Sequence, residues 1–555
     1  MKKLVLFTLT LVMLLVCAAA CGAPKEIDKT LFTAYTVMRS DIDRAGVELE
    51  AALAVRNALE LPIATDFVKR GEAVPNDGTE LLVGKTNRDA SIAALEELTS
   101  YRKNCRDDFI IRVTGNKIVI VGVTDEATVA AADYFIETFA PALTAKKLEE
   151  GCEYIYRRDY AMIKLNGIDI GEYTLLMEKD ANVDIKNAAE ALLAKVNTLT
   201  GHEIMTVTEP SARNIRIALG GGDMAKASVK WDGGDLVVTG GHYLSVAEAV
   251  KQLSDKLADG ADLAADFAID VAYADVPLTS ERYPEMKLVW NDEFDYADDL
   301  YDRRKWLQRA QMTHSDVLNG KTERNVRSED GTLIMRSWKE DKAEVGKDYS
   351  TNMSMTTRDS CNFAYGYLEM RAKVPFGKGY WPSFWMVQRE EFMKGGYMTE
   401  IDIFEIFGTK DTVVPNIHKW YRDGSGKHTQ RGSGGQVYKF TELANLNDEY
   451  HTYGFYWDET KMVFSVDGKD YATFDITAEG DYDKAMPVDG FHEPAYIILN
   501  NFLFTPEGSW CPTGAMVDDN TKYPSVYTVD YIRLWQGENG KFASYSNADD
   551  YQIVK

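Results

Sequence analysis

The chain has 555 residues, 45% of them hydrophobic and 27% charged, with a formal net charge of −25 at pH 7. This length gives room for two to four domains with sizeable cores, while the charge argues against nucleic-acid binding and, less strongly, against highly anionic polymers as ligands. Of the six cysteines, Cys17 and Cys21 sit near the start, and Cys105, Cys152, Cys361 and Cys511 show no CxxC spacing, which speaks against a zinc site and assigns no disulfide.

The chain opens Met-Lys-Lys, runs apolar from Leu4 to Val16 and reaches Ala18-Ala-Ala-Cys21-Gly. A short basic head, a brief apolar stretch and small residues before a cut site describe an export signal rather than a spanning helix. Cysteine after three alanines resembles the lipobox of bacterial lipoproteins. That resemblance implies removal of residues 1–20, lipidation of Cys21 and a mature chain tethered to the membrane at the cell surface. Ala18 stands where such boxes more often carry leucine, and an ordinary secretory signal cut near Ala20 is the alternative. No later stretch is long and apolar enough to cross a membrane.

Between about 30 and 275 an α/β pattern occurs twice. Tyr35-Thr-Val-Met and Tyr173-Thr-Leu-Leu-Met each lead into a helical stretch, the second with Ala189, Leu192, Leu193 and Val196 at helical spacing. A buried-strand pattern ending in glycine follows in each, Glu80 to Gly84 and Ile215 to Gly220. Next come hairpins turning at Gly115-Asn116 and Gly233-Gly234, and then amphipathic helices over Ala127 to Phe139 and Ser245 to Leu257. Equivalent landmarks drift together by about twenty residues, which predicts an insertion in the first copy. The expected boundaries are 21–155 and 156–277. These copies resemble the small α/β domains that precede the catalytic barrel in some hexosaminidases and glucuronidases. Gly84-Lys-Thr86 and Gly220-Gly-Gly-Asp223 lack the spacing of a phosphate loop and read as strand-to-helix turns.

From Tyr283 the texture becomes aromatic and turn-punctuated as far as Trp535, predicting many short strands in a two-sheet sandwich over 280–537, with 538–555 as a tail. Within it lies Thr399-Glu-Ile-Asp-Ile-Phe-Glu-Ile-Phe-Gly408. Its isoleucines and phenylalanines favour a strand, whose alternation places Glu400 and Asp402 on one face. Glu405 joins them if one extra residue is inserted as a β-bulge near Ile403 or Phe404, with Ile401, Ile403 and Ile406 in the core behind. Three carboxylates in a row repel and raise one another's pKa. The chemistry served by such a row is retaining glycoside hydrolysis, in which one carboxylate attacks the anomeric carbon and another, kept protonated, donates to the leaving oxygen.

Several separated pieces, in order, resemble glycoside hydrolase family 16, the laminarinase and lichenase family with a concanavalin-like β-jelly roll. They are Leu288-Val-Trp-Asn-Asp-Glu-Phe294, Arg324-Asn-Val with Asp330-Gly-Thr-Leu-Ile334, Tyr365 to Pro375, Gly377-Lys-Gly-Tyr-Trp-Pro-Ser-Phe-Trp385, the E-x-D-x-x-E run itself, His451 to Trp457, Phe464 to Gly468, and Val529 to Trp535. The fold expected for the whole chain is therefore a C-terminal all-β sandwich behind two α/β repeat domains.

The resemblance implies Glu400 as nucleophile, Glu405 as acid/base and Asp402 as the residue that keeps their pKa values apart. It places Trp381 and Trp385 as sugar platforms, His418 beside the acid/base, and Asn325 and Arg371 as polar contacts. It needs no cofactor, but suggests a structural calcium held by Glu293, Gly331 and Asp530. The substrate it implies is a β-1,3- or mixed β-1,3/1,4-glucan. A β-galactan hydrolase, a transglycosylase of the same fold and a non-catalytic carbohydrate-binding protein are the alternatives. The run Asn500 to Pro512 and the loop Tyr421 to Val437 depart from the family pattern. No protein partner is implied.

Overall fold

The computed structural model describes residues 26–41, 46–68, 72–101, 104–296, 301–309, 325–345, 349–350, 354–390, 397–408, 411–421, 428–431, 435–440, 445–477, 491–505 and 515–544. The stretch expected to be an export signal, with Cys21, and Cys511 lie outside them. The chain divides into two compact units, with the boundary between Ala272 and Tyr273.

The first unit contains two six-stranded mixed sheets. One is built from β1 (Thr36–Arg39), β2 (Ile63–Thr65), β3 (Glu80–Val83), β4 (Phe109–Thr114), β5 (Lys117–Gly122) and β6 (Cys152–Tyr156), in the order β2-β1-β3-β5-β4-β6. The other comprises β7 (Thr174–Met177), β8 (Thr206–Val207), β9 (Asn214–Leu219), β10 (Lys226–Asp232), β11 (Asp235–Gly240) and β12 (Ala268–Ala272), in the order β8-β7-β9-β11-β10-β12. Strand for strand, order and sense of pairing coincide: parallel through the middle, antiparallel at the hairpin and the last strand.

The central strands are short apolar runs because helices bury them. In the first sheet, α1 (Val47–Leu59) and α3 (Asp125–Tyr134) bury Ala51, Ala52, Val55, Ala131 and Ala132 in one core. On the other face α2 (Asp89–Tyr101) buries Ala94 and Leu98 against Leu82, Val119 and Val121. Helix α3 starts where it does because Thr124 Oγ1 accepts from Ala127 N at 3.1 Å. The second sheet packs against α4 (Val183–Thr200) and α5 (Tyr243–Asp255). No described helix between β9 and β10 answers to α2, which accounts for the drift in sequence spacing.

The second unit is a sandwich of a nine-stranded and a ten-stranded sheet among the described residues. The first sheet holds β13 (Lys287–Asp292), β14 (Thr332–Lys339), β15 (Gly366–Lys373), β19 (His451–Trp457) and β21 (Ser525–Gln536); the second holds β16 (Tyr380–Gln388), β17 (Tyr397–Glu405), β18 (Thr412–Tyr421) and β20 (Ala495–Leu503). Within the second, antiparallel pairing runs β20-β16-β17-β18. One apolar core joins the sheets. Leu368, Met370 and Ala372 enter it from β15, Phe384 and Met386 from β16, Ile401, Ile403 and Phe404 from β17, and Ile497 and Leu499 from β20. Alternation then turns the intervening residues of β16, β17, β18 and β20 to the opposite face of their sheet.

This placement corrects one expectation. Arg371 alternates with Leu368, Met370 and Ala372 on β15, so it points away from the core on the sheet that does not carry the carboxylates. There it pairs with Asp530, and its guanidinium lies 4.4 Å over the Tyr450 ring. The family pattern gives a polar strand face here but does not say which sheet the strand joins.

Candidate active site

The carboxylate row is made by a bulge in β17. Asp402 faces Asn416 on β18, but the next registered pair is Glu405 with Val414, so Ile403 and Phe404 together oppose one residue. The pairing with β16 slips at the same place, from Trp385 opposite Asp402 to Phe384 opposite Phe404. Both bulge residues go to the core, at 2% and 1% exposure, which returns Glu405 to the face of Glu400 and Asp402. Ile406 is buried as well. The strand ends at Glu405, and the chain then turns at Gly408, whose φ of +64° suits glycine and whose N–H donates to Tyr380 O at 2.8 Å.

Each acid has a specific partner. Trp381 Nε1 donates to Glu405 Oε1 at 2.9 Å, and Trp420 Nε1 donates to Glu400 Oε2 at 3.0 Å. His418 Nε2 lies 2.9 Å from Asp402 Oδ2 and 3.9 Å from Glu400 Oε1. The Asn416 side chain also hydrogen-bonds Glu405. Trp385 Nε1 donates to Asn500 Oδ1 at 2.8 Å, and Asn500 Nδ2 donates to Ser383. Rings frame the row: His418 stacks on Trp420 with centroids 5.6 Å apart and planes 16° apart, and Trp381 stacks on Phe504 at 4.7 Å and 6°.

Burial dominates the electrostatics. It pushes the Glu405 carboxyl up to about 8, helped by the neighbouring Asp402 charge and opposed by the Trp381 and Asn416 hydrogen bonds and His418. Burial also raises Glu400, reinforced by Asp402 and Glu405 and opposed by His418 and the Trp420 donor. Asp402 is raised by burial. Burial lowers His418, against the pull of Glu400 and Glu405, so its imidazole is neutral near pH 7. Such a trio holds a proton at neutral pH, which is what a general acid beside a nucleophile requires.

Glu400, Asp402 and His418 each offer a ligand atom within 4.8 Å of the other two, the one such group among the described residues. Within this group Trp420 holds Glu400 Oε2 and His418 holds Asp402 Oδ2.

The remaining expected residues are dispersed. Trp381 and Trp385 lie on the carboxylate face, half-buried. Asn325 is buried beside β14, where its Nδ2 donates to Arg336 O at 2.9 Å. Glu293 accepts from Arg533 Nε at 3.0 Å and Nη2 at 2.7 Å, and Asp530 is held by Arg371. Guanidinium groups thus neutralise both carboxylates proposed for calcium, and Gly331 sits in the turn before β14. An oxygen cage for a hard cation is poorly matched by this pairing, and no role for the ion follows.

Sequence reading did not single out Trp420, Asn416, Asn500 or Phe504. Two of them were within reach: once His418 is placed beside the acids, alternation along β18 puts Asn416 and Trp420 on the same face.

Residues 312–491 match the family model described as Glycosyl hydrolases family 16. A β-glucanase of Rhodothermus marinus is 28% identical over 273 residues, covering 46% of this chain and 87% of the relative. A glucan endo-1,3-β-glucosidase A1 of Niallia circulans is 28% identical over 272 residues, which is 45% of this chain but 38% of that protein. A solved structure of the laminarinase catalytic domain from Thermotoga maritima, 27% identical, covers 45% of this chain and 98% of its own, with a TM-score of 0.37. The sandwich is a glycoside hydrolase family 16 domain of the jelly-roll type. The chain is accordingly a glycoside hydrolase, with β-glucanases among its relatives.

Proposed function

We propose that the protein is an endo-acting β-glucanase that cleaves β-1,3- or mixed β-1,3/1,4-glucan with retention of configuration. The observation that carries this reading is the bulge that sets Glu400, Asp402 and Glu405 on one face with a separate partner for each. In the first step a Glu400 oxygen attacks the anomeric carbon while Glu405 gives its proton to the departing glycosidic oxygen. The C–O bond to the leaving chain breaks as the glycosyl ester forms. In the second step Glu405, now a carboxylate, takes a proton from water as that water displaces Glu400 from the opposite face. Two inversions give net retention. Asp402, paired with His418, holds a charge or a proton between the two glutamates and keeps their roles apart.

Trp381 and Trp385 are read as platforms for pyranose rings, whose C–H faces stack on indole. Export through residues 1–20 with lipid attachment at Cys21 fits a polymer too large to enter the cell. The two N-terminal sheets are read as copies of one α/β domain type, on the strength of their shared strand order.

The test is digestion of laminarin, lichenan and β-galactan panels by purified protein, with Glu400→Ala and Glu405→Ala alongside. The reading expects new reducing ends from the glucans and a loss of about 10³-fold or more in each variant. Cleavage of galactans alone would overturn the substrate, and full activity in Glu400→Ala would overturn the mechanism. Labelling of wild-type cells with radioactive palmitate, lost in Cys21→Ser, tests the anchor.

A further inference from the structure

We propose that Trp420 is a positioning residue for the nucleophile, its indole N–H fixing one oxygen of Glu400 so that the other is presented for attack. This rests on the double-displacement reading above and deepens it.

The geometry begins on β18. His418 and Trp420 are two residues apart on one strand, so both face the carboxylate row. Trp420 donates to Oε2 of Glu400, while Oε1 is the oxygen turned toward His418, 3.9 Å from its Nε2. The Trp420 ring cannot swing freely, because it is stacked on the His418 ring, and His418 is in turn held by Asp402. The carboxylate plane of Glu400 is thereby tied to the strand through a chain of three side chains. The donor bond defines Oε1 as the attacking atom.

The choice of an indole has a chemical reason. A donor hydrogen bond stabilises the charged form of a carboxylate. A lysine or histidine could also donate, but either can exchange its proton with the acid, and a charged donor would pull on all three acids. Indole N–H donates at every accessible pH and has no acceptor lone pair. Burial and the neighbouring acids push Glu400 toward protonation; the Trp420 bond opposes them at that residue without adding a charge to the row. Trp381 makes the same bond to Glu405. The consequences differ, because Glu400 must begin the cycle ionised and Glu405 protonated.

The experiment compares Trp420→Phe and Trp381→Phe, which keep a ring but lose the N–H. In Trp420→Phe the carboxylate loses its donor, so its pKa rises. The acidic limb of the kcat/KM profile on β-glucan then moves to higher pH, and kcat falls about tenfold or more with little change in KM. In Trp381→Phe the basic limb moves to higher pH instead. A merely structural role for Trp420 would lower the folded fraction without displacing one limb.

A second measurement needs no loss of the indole. The Trp420 indole ¹⁵N–H resonance in the wild-type protein should titrate with the acidic limb, and that titration should vanish in Glu400→Gln. A folded Trp420→Phe with wild-type kcat and both limbs in place, or an indole resonance indifferent to Glu400, overturns the proposal. If Glu400→Ala keeps full activity, the double-displacement reading fails instead. If Glu400→Ala is inactive while Trp420→Phe is unaltered, only the role of Trp420 fails.

Discussion

His418 Nε2 lies 2.9 Å from Asp402 Oδ2, a contact between two buried groups whose ordinary charges have both been suppressed by burial. The two are a hydrogen-bonded pair beside both glutamates, Asp402 pushed toward its protonated form and His418 toward its neutral one. Replacing His418 by Phe would leave Asp402 buried without this partner, and a buried acid so treated takes up a proton more readily still. The expected outcome is a fall in kcat of about 10–100-fold, corresponding to the ~1–3 kcal/mol cost of stranding a buried polar group, with KM altered by no more than a few-fold. Steady-state kinetics on soluble β-glucan check this.

The two glutamates separate chemically through the leaving group. In the proposed mechanism an alcohol leaving group has no proton donor once Glu405 is removed, whereas an activated aryl group departs unaided. Glu405→Ala is therefore expected to lose polysaccharide cleavage yet keep a measurable burst with dinitrophenyl oligoglucosides. Glu400→Ala, lacking the proposed attacking atom, is expected to lose both. Equal loss in both variants with both substrates would contradict the assigned roles.

The raised carboxyl of Glu405 has a stability counterpart. Its ordinary value of 4.5 is pushed up to about 8 by burial, so between those values the folded protein holds a proton that the unfolded chain releases. Stability from this group is complete below pH 4.5 and is lost as the pH climbs through that window. Glu405→Gln removes the dependence while retaining an acceptor for Trp381. It is expected to match wild type at pH 4 and to exceed it by about 1–4 kcal/mol at pH 8, a rise of several degrees in the melting temperature of the sandwich. Calorimetry at the two pH values decides it.

Parts of this site were legible in the sequence for a plain reason: period-two alternation with one inserted residue is a local property. The pattern around Glu400, Asp402 and Glu405 thus predicted both the bulge and the burial of Ile403. Trp385 was ambiguous between core and cleft because it stands beside Phe384 and Met386. Phe384 and Met386 both enter the core, so alternation along β16 sends the Trp385 indole to the other face, where it donates to Asn500. Arg371 and Asp530 were misread or left open for a different reason. Which sheet a strand joins, and which arginine reaches which carboxylate across it, are set by partners more than 150 positions away in the chain. The α/β half was legible as a pattern of strands and helices, but its polar interior was not.

That interior supplies another prediction. In the first sheet Glu80 accepts from Arg88 at 2.7 Å and from Lys117 at 2.6 Å, all three side chains less than a tenth exposed. Breaking such a cluster by removing one member leaves charge buried and uncompensated. Arg88→Met is expected to destabilise the N-terminal unit by about 3–5 kcal/mol in denaturant titrations. Hydrolysis by the folded full-length protein should be unchanged, since the carboxylate row lies in the other unit.

The central claim, that Glu400 attacks and Glu405 assists in a retaining β-glucanase, is tested most directly by following laminarin digestion by ¹H NMR from the first minutes. The account predicts that new reducing ends appear as the β-anomer and equilibrate only later to the mixture, and that Glu400→Ala produces none. First appearance of the α-anomer, or β-glucan cleavage at the wild-type rate by Glu400→Ala, would contradict it.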